Sequence, residues 1–372
     1  MGVSTSHAKF GMKIVIPVLN FSRAGGARVL SQLASVWGQM GHEVVFIAHQ
    51  GSAIPYYPTQ AKIIWTDDNG YCIPINAEEK RHSGWCSILN SLGLLLGLNR
   101  YASECDIMLA NHNLTAWPVV LCRSRARKFY YVQAYEPEYC QSRSDFRGRV
   151  LEKVAEWGYR LPLRRIVNAP VYFDYQQLRA DRYVPPGVDL QTFFPGLEAV
   201  CHKPFRLGCI GRNEAEKGTH DVLAAFELLL QRSWDVELRV ASFGVLPEKY
   251  LCHPRVVIQI PGNDAELADY YRSLDVLAAP GIGQRGAPHY PVIESMACGV
   301  PVVTTGYYPA STDNAWIVPE SNPAALAATL IEVMNRPDFT REKVSRALRD
   351  VQELAWDRVA QRMLDVFMEG EK

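Results

Sequence analysis

Short apolar runs alternate along the chain with stretches of helical spacing, and that alternation predicts its elements. MKIVIPV (12–18) is a continuous apolar run, the pattern of a parallel strand covered on both faces. A loop with Gly25 and Gly26 follows, and ARVLSQLASVWGQM then places Val29, Leu33, Val36 and Met40 at helical spacing. Gly41 ends that helix and HEVVFIAH (42–49) is the next strand, so the chain opens on a βαβ unit. DIMLAN (106–111), KFYYVQAY (128–135) and RRIVNAP (164–170) read as further strands. YVPPGVDLQTFFPGLEAVCHKP (183–204), rich in Pro and Gly, breaks the alternation and reads as an interdomain connection. A second alternating set follows. Its strands are FRLGCIG (205–211), VELRVAS (236–242), RVVIQI (255–260), DVLAAP (275–280) and VPVVTT (300–305). Its helices include 220–232, 264–274 and 322–336. The expected architecture is two α/β domains with a cleft between them, with ligands beyond the carboxyl ends of the strands.

Composition adds bounds. A chain of 372 residues suits two cores better than one, and 48% apolar with 21% charged residues is globular usage. Nine cysteines without a C-x-x-C argue against a zinc site or disulfide framework and for a reducing cytosol. Cys209 and Cys298 lie in apolar runs and read as core residues. MGVSTSHAKFG (1–11) has no apolar signal region. The stretch Trp85–Leu98 falls short of the roughly 20 residues of a transmembrane helix. Net charge is zero but uneven: residues 1–187 hold 21 Lys and Arg against 14 Asp and Glu, and residues 188–372 hold 18 against 25. The positive half either meets something anionic or faces its negative partner. Arg123, Arg125, Arg127, Lys128, Arg143, Arg147, Arg149 and Lys153 supply much of that charge. With Trp85–Leu98 they suit an anionic membrane surface, or else a solvated basic face beside a core helix.

Candidate chemistry gathers in three places. The Gly25-Gly26 loop allows close approach of a ligand, but G-x-G-x-x-G is absent. In GRNEAEKG (211–218), Arg212 and Lys217 stand on a turn after an apolar strand, where they suit a departing diphosphate or else pair locally with Glu214 and Glu216. GIGQRGAPHYPVIESMACGVPVV (281–303) leads from a Gly-rich loop into a helix beginning near Pro291, with Glu294 close to its start. There Glu294 either caps the helix or accepts from sugar hydroxyls. No D-x-D pair or His/carboxylate metal cluster stands out.

Taken in order, GGARV with GHEV, PPGVDLQTFFP (185–195), GRNEAEKG, LDVLAAP (274–280), ESMACGVPVV (294–303) and ELAWDRVAQRMLDVF (353–367) resemble the retaining glycosyltransferases of family 4. YVQAYEP, within YYVQAYEPEY (130–139), further resembles bacterial polysaccharide rhamnosyltransferases. The resemblance implies the GT-B fold: an acceptor domain (1–187), a donor domain (188–352) and a C-terminal helix (353–372) packing back on the first. It implies transfer of a hexosyl or deoxyhexosyl group from a nucleotide-diphosphate sugar to a hydroxyl of a glycan, a lipid-linked glycan or a small molecule. No metal, cofactor or nucleic acid is implied, and the expected place is the cytoplasm or the inner face of the membrane. By the same resemblance, Gly211, Arg212 and Lys217 hold the diphosphate, with Gly25 and Gly26 beneath it. Glu294 takes the ribose. Gly262, Gly286, Ala287, Pro288, His289 and Tyr290 complete the donor site. Gln133 stands where many members carry a catalytic His; His112, Asn113 and Glu136 complete the acceptor side. The family often has an acidic residue eight positions before its ribose Glu, where this chain has Gly286. Backbone groups, His289 or Gln284 are the substitutes at hand. The departure also admits a catalytically weak nucleotide-sugar-binding subunit or, on the same fold, an epimerase.

Overall fold

The computed structural model describes residues 11–21, 25–74, 84–141, 146–196, 202–242, 244, 246–283 and 285–369. Residues 1–10, Arg143 and Gln284 lie outside these, as do the side chains of Trp85 and Arg147. The chain divides into two compact units, one comprising residues up to Val184 together with Val359 onward, the other Pro185–Arg358.

In the first unit the order is β1 (Lys13–Val18), α1 (Gly25–Gln39), β2 (Glu43–His49), β3 (Lys62–Thr66), α2 (Gly84–Tyr101) and β4 (Ile107–Ala110). It continues with α3 (Asn113–Leu121), β5 (Arg127–Val132), α4 (Glu136–Gln141), α5 (Phe146–Gly158), β6 (Arg164–Val167) and β7 (Arg182–Tyr183). The strands form one sheet in the order β3-β2-β1-β4-β5-β6-β7, every ladder parallel. Ile14, Val15 and Ile16 are inaccessible to solvent, as a strand covered on both faces requires.

The second unit runs β8 (Phe205–Gly211), α6 (Thr219–Gln231), β9 (Val236–Ser242), α7 (Glu248–Leu251), β10 (Val256–Gln259) and α8 (Asp264–Arg272). Then come β11 (Val276–Ala279), α9 (Tyr290–Ala297), β12 (Val302–Thr304), β13 (Trp316–Ile317), α10 (Pro323–Asn335) and α11 (Pro337–Gln352). Its parallel sheet has the order β10-β9-β8-β11-β12-β13. One core cluster packs α6 and α10 on the sheet through Phe226 and Leu330. Another packs α8, α9 and α11 through Tyr271, Met296 and Val351. Cys209 and Cys298 are buried, and burial pushes both thiols up to about 12, so they are inert core residues.

The last helix, α12 (Trp356–Met368), enters the first unit at Val359. Trp37 Nε1 donates to Ala360 O at 3.1 Å, and the Phe367 ring lies 4.8 Å from that of Phe129. All three aromatic side chains are fully buried, so this segment is part of that core.

Several expectations are corrected. Gly25 and Gly26 are the first residues of α1 and not loop residues. The strand expected over 164–170 stops at Val167, and Pro170, which has no N–H for a ladder, opens a 3₁₀ turn. The strand expected through 135 stops at Val132. Trp85–Leu98 lies in one continuous helix despite Gly93 and Gly97; a Cβ at Gly93 would come within 2.9 Å of His49 and one at Gly97 within 3.0 Å of Thr66. The two glycines let α2 lie directly on β2 and β3. Leu94 and Leu98 are buried, whereas Leu89, Leu92 and Leu96 on the other face are 61%, 56% and 43% exposed. The stretch is therefore neither wholly core nor wholly surface. Among the described residues, no helix is long and apolar enough to cross a membrane.

Candidate active site

Both sheets reverse their strand order once, and the chemistry-bearing residues collect at the carboxyl ends beside those reversals, where parallel sheets bind ligands. In the second unit the reversal separates β8 from β11. Arg212 follows β8 and is exposed; its backbone N–H donates to Thr219 Oγ1 at 3.0 Å. The chain then makes a 3₁₀ turn (Ala215–Lys217) closed by Gly218 in the left-handed region, φ 71°. A Cβ at Gly218 would lie 1.8 Å from Pro280 O, so only glycine lets this turn meet the end of β11. Ile282 N donates to Glu216 O at 2.8 Å and joins the turn to the Gly-rich loop.

Lys217 is half-buried. Burial lowers its pKa, opposed by Glu216 and reinforced by Arg212. His289 is the N-cap residue of α9, and its ring stacks on Tyr307 with centroids 4.1 Å apart. Burial, reinforced by Lys217 and then Arg212, pushes its pKa down to about 3, so the imidazole is neutral. Its Nδ1 is buried and has no hydrogen-bond partner among the described residues. A neutral ring beside two cations adds no repelling charge and offers a polar group that can orient an incoming anion.

Gly286 stands at φ 81°, and its N–H donates to Gly306 O at 2.8 Å. Glycine adopts this left-handed conformation without strain. Ala287 O accepts from Tyr308 N at 2.9 Å, and Pro288 bridges to Tyr308, which fixes the loop against the end of β12. Glu294 is corrected as a first-turn cap: α9 starts at Tyr290, and no acidic residue lies in its first turn. Glu294 is instead 2% exposed and accepts from Tyr271 Oη at 3.1 Å. Burial, followed by Glu294, pushes the Tyr271 pKa well up, so the phenol stays a donor. Gly211 ends β8. Gly262 follows the edge strand β10, and its N–H is engaged by Glu266 at 2.8 Å. The structure thus joins Arg212, Lys217, His289 and the 281–290 loop, and sets Gly262 two strands away.

In the first unit, Gln133 follows β5, and its Nε2 donates to Gly26 O at 3.3 Å. Asn168, after β6, donates to Gln133 O at 2.7 Å. Asn111, after β4, donates to Pro17 O in β1 at 2.7 Å. His112 is the N-cap of α3; its Nδ1 accepts from Leu114 N at 3.1 Å, while the residue stays exposed. Glu136 accepts from Asn113 N at 2.9 Å and from Tyr130 Oη at 2.9 Å. Its carboxylate is thereby committed to the start of α3. Sequence reasoning did not find Tyr271, Tyr307, Thr219 or Asn168, which lie in apolar or unremarkable runs and carry no motif.

Residues 204–336 match the family described as glycosyl transferases group 1. Among relatives, the D-inositol 3-phosphate glycosyltransferase of Kineococcus radiotolerans is 29% identical over 223 residues, 50% of each chain. That of Pseudarthrobacter chlorophenolicus is 33% identical over 139 residues, 32% of this chain and 33% of the relative. The chain spans about half or less of the length of these relatives. Among solved structures, sucrose-phosphate synthase from Thermosynechococcus elongatus superposes with a TM-score of 0.75 at 16% identity, covering 96% of this chain and 98% of that one. Anabaena HepE, in complex with UDP and glucose, gives 0.69 at 14% identity over 96% and 100%. The fold is GT-B. Within it, the two parallel sheets of seven and six strands are the Rossmann-like halves.

Proposed function

We propose that this GT-B protein transfers a sugar from a nucleoside-diphosphate donor to a hydroxyl acceptor, with retention and without a metal ion. The observation that carries the reading is the gathering of Arg212 and half-buried Lys217 with the neutral, half-buried His289 at the reversal of the second sheet. The group 1 match over that region and the glycosyltransferase relatives support it. In this reading the second unit holds the donor and the first unit the acceptor. Arg212 and Lys217 bind the diphosphate, Glu294 the ribose, and Gly211 and Gly286–Tyr290 the rest of the donor. Gly25, Gly26, His112, Asn113, Gln133 and Glu136 shape the first-unit side.

The step is front-face displacement. The bond from the anomeric carbon to the phosphate oxygen breaks, and the new glycosidic bond forms on the same face. The departing phosphate oxygen takes the acceptor proton. Charge develops on the diphosphate, and the two cations stabilise it more in the transition state than in the bound donor. A polysaccharide, glycolipid or glycosylated natural product is the product class. A peripheral contact with the inner face of a membrane accompanies it, supported by the exposed leucines of α2.

Steady-state kinetics of donor turnover test the assignment. Arg212→Ala and Lys217→Ala each lower kcat by about 10²–10³, the usual effect of removing one preorganised charge stabiliser. Unchanged turnover in both variants would remove these residues from the chemistry. Gly286 favours a second reading, a nucleotide-sugar-binding subunit with weak catalysis. Donor binding without turnover in the wild type distinguishes it.

A further inference from the structure

Part of the excess positive charge of the first half surrounds a cavity of about 650 Å³ at the amino ends of β5 and β6. Arg127, Lys128, Arg160, Arg164, Arg165 and Arg179 line it, and among the described residues no acidic side chain does. These strands carry Gln133 and Asn168 just past their other ends. Six residues of strand span about 20 Å, so the cavity is separate from the candidate active site.

Lys128 and Arg165 are held chiefly by backbone carbonyls. Lys128 Nζ donates to Val120 O at 3.1 Å and Cys122 O at 2.6 Å. Arg165 donates to the carbonyls of Arg179, Leu161 and Tyr159 at 3.0, 3.1 and 3.4 Å, with Asp181 3.9 Å away. Backbone carbonyls orient a cation but leave its charge uncompensated. Glu369 is the carboxylate on Arg164, at 3.2 Å, and it is shared with Arg182 at 3.0 Å. Arg127 and Arg164 flank the buried Phe129 ring at 5.8 and 5.5 Å. Arg160 and Arg179 are exposed, and their side chains make no hydrogen bond or ion pair with described residues. Arg179 stands at φ 46°, in the left-handed region that a branched or bulky side chain seldom adopts. That backbone aims the Arg179 carbonyl at Arg165 Nε. Burial lowers the Arg165 pKa, opposed by Asp181 and reinforced by Arg179, so the cations repel one another across the cavity.

We propose that this cavity binds a ligand carrying two or more phosphate groups, with Arg160 and Arg179 closing on it from the rim. Guanidinium forks match phosphate oxygens in pairs. Concave shape and fixed cations suit a compact polyphosphate or a phosphorylated headgroup better than a flat apolar surface.

The experiment is calorimetric titration of the full chain with inorganic tripolyphosphate. It is performed on an Arg212→Ala/Lys217→Ala background so that the donor site does not contribute. Binding persists in that background. It weakens at least about tenfold when Arg160→Ser and Arg179→Asn are added, since each change removes charge-assisted hydrogen bonds to phosphate. Asn tolerates the left-handed backbone, so the fold survives the change. No binding in the background, or equal affinity after the rim substitutions, overturns the site. This result is independent of whether the protein transfers sugar. A second arm compares phosphatidylcholine vesicles containing a phosphatidylinositol phosphate with vesicles containing phosphatidylglycerol. Preference for the former that depends on Arg160 and Arg179 identifies a lipid headgroup as the source. Equal binding to the two, with tripolyphosphate still bound, identifies a soluble phosphate compound.

Discussion

His289 is the residue whose surroundings are easiest to test. Its imidazole is pushed from 6.5 to about 3, first by burial and then by Lys217 and Arg212. Between those values the unfolded chain binds a proton that the folded chain does not, so stability falls as pH falls through that window. His289→Asn removes this contribution. Thermal melts from pH 7 to pH 4 therefore show Tm dropping more steeply for the wild type than for the variant; parallel profiles would contradict the burial. At this scale the sequence was readable where a residue's chemistry is unusual for its place. Arg212 and Lys217 stand out on a turn after an apolar strand. Tyr271 and Tyr307 do not, because a phenol that serves a site looks the same in sequence as one that fills a core. Glu294 was misplaced because one turn of helix decides between a cap and a buried acceptor, and helix starts read from sequence are uncertain by that much.

Among the elements, α2 unites two readings that the sequence offered as alternatives. One face, with Leu94 and Leu98, packs against the sheet, and the other presents Leu89, Leu92 and Leu96 to solvent. Three leucines at i, i+3 and i+7 form one apolar stripe, and burying each stabilises by about 1.5–3 kcal/mol. The peripheral contact proposed above then predicts that the protein co-sediments with phosphatidylglycerol vesicles and that Leu89→Ser with Leu92→Ser reduces this severalfold. Equal sedimentation of the two would remove α2 from any membrane contact. Elements buried on both faces, such as β1, β2 and β8, were legible from their apolar runs. β3 and α11 were not. β3 is five residues long, and α11 buries only the narrow stripe Lys343, Ala347 and Val351 on an otherwise polar surface.

For the molecule as a whole, two βα-alternating halves were legible because parallel strands force apolar runs separated by helices. Strand order was not, since the residues that set it are contacts between distant segments: β1 beside β4, and β8 beside β11. The motif order carried the family resemblance, and the superposition of 96% of the chain on GT-B structures carries the fold. The central claim is that the second unit grips a nucleoside diphosphate through Arg212 and Lys217. Calorimetric titration with UDP, GDP and dTDP tests it most directly. At least one of the three binds the wild type with a Kd below about 1 mM, the upper end of ordinary substrate affinities. The same nucleotide binds the Arg212→Ala/Lys217→Ala variant at least about tenfold more weakly. Binding of none of the three, or equal affinity in the variant, would contradict the account.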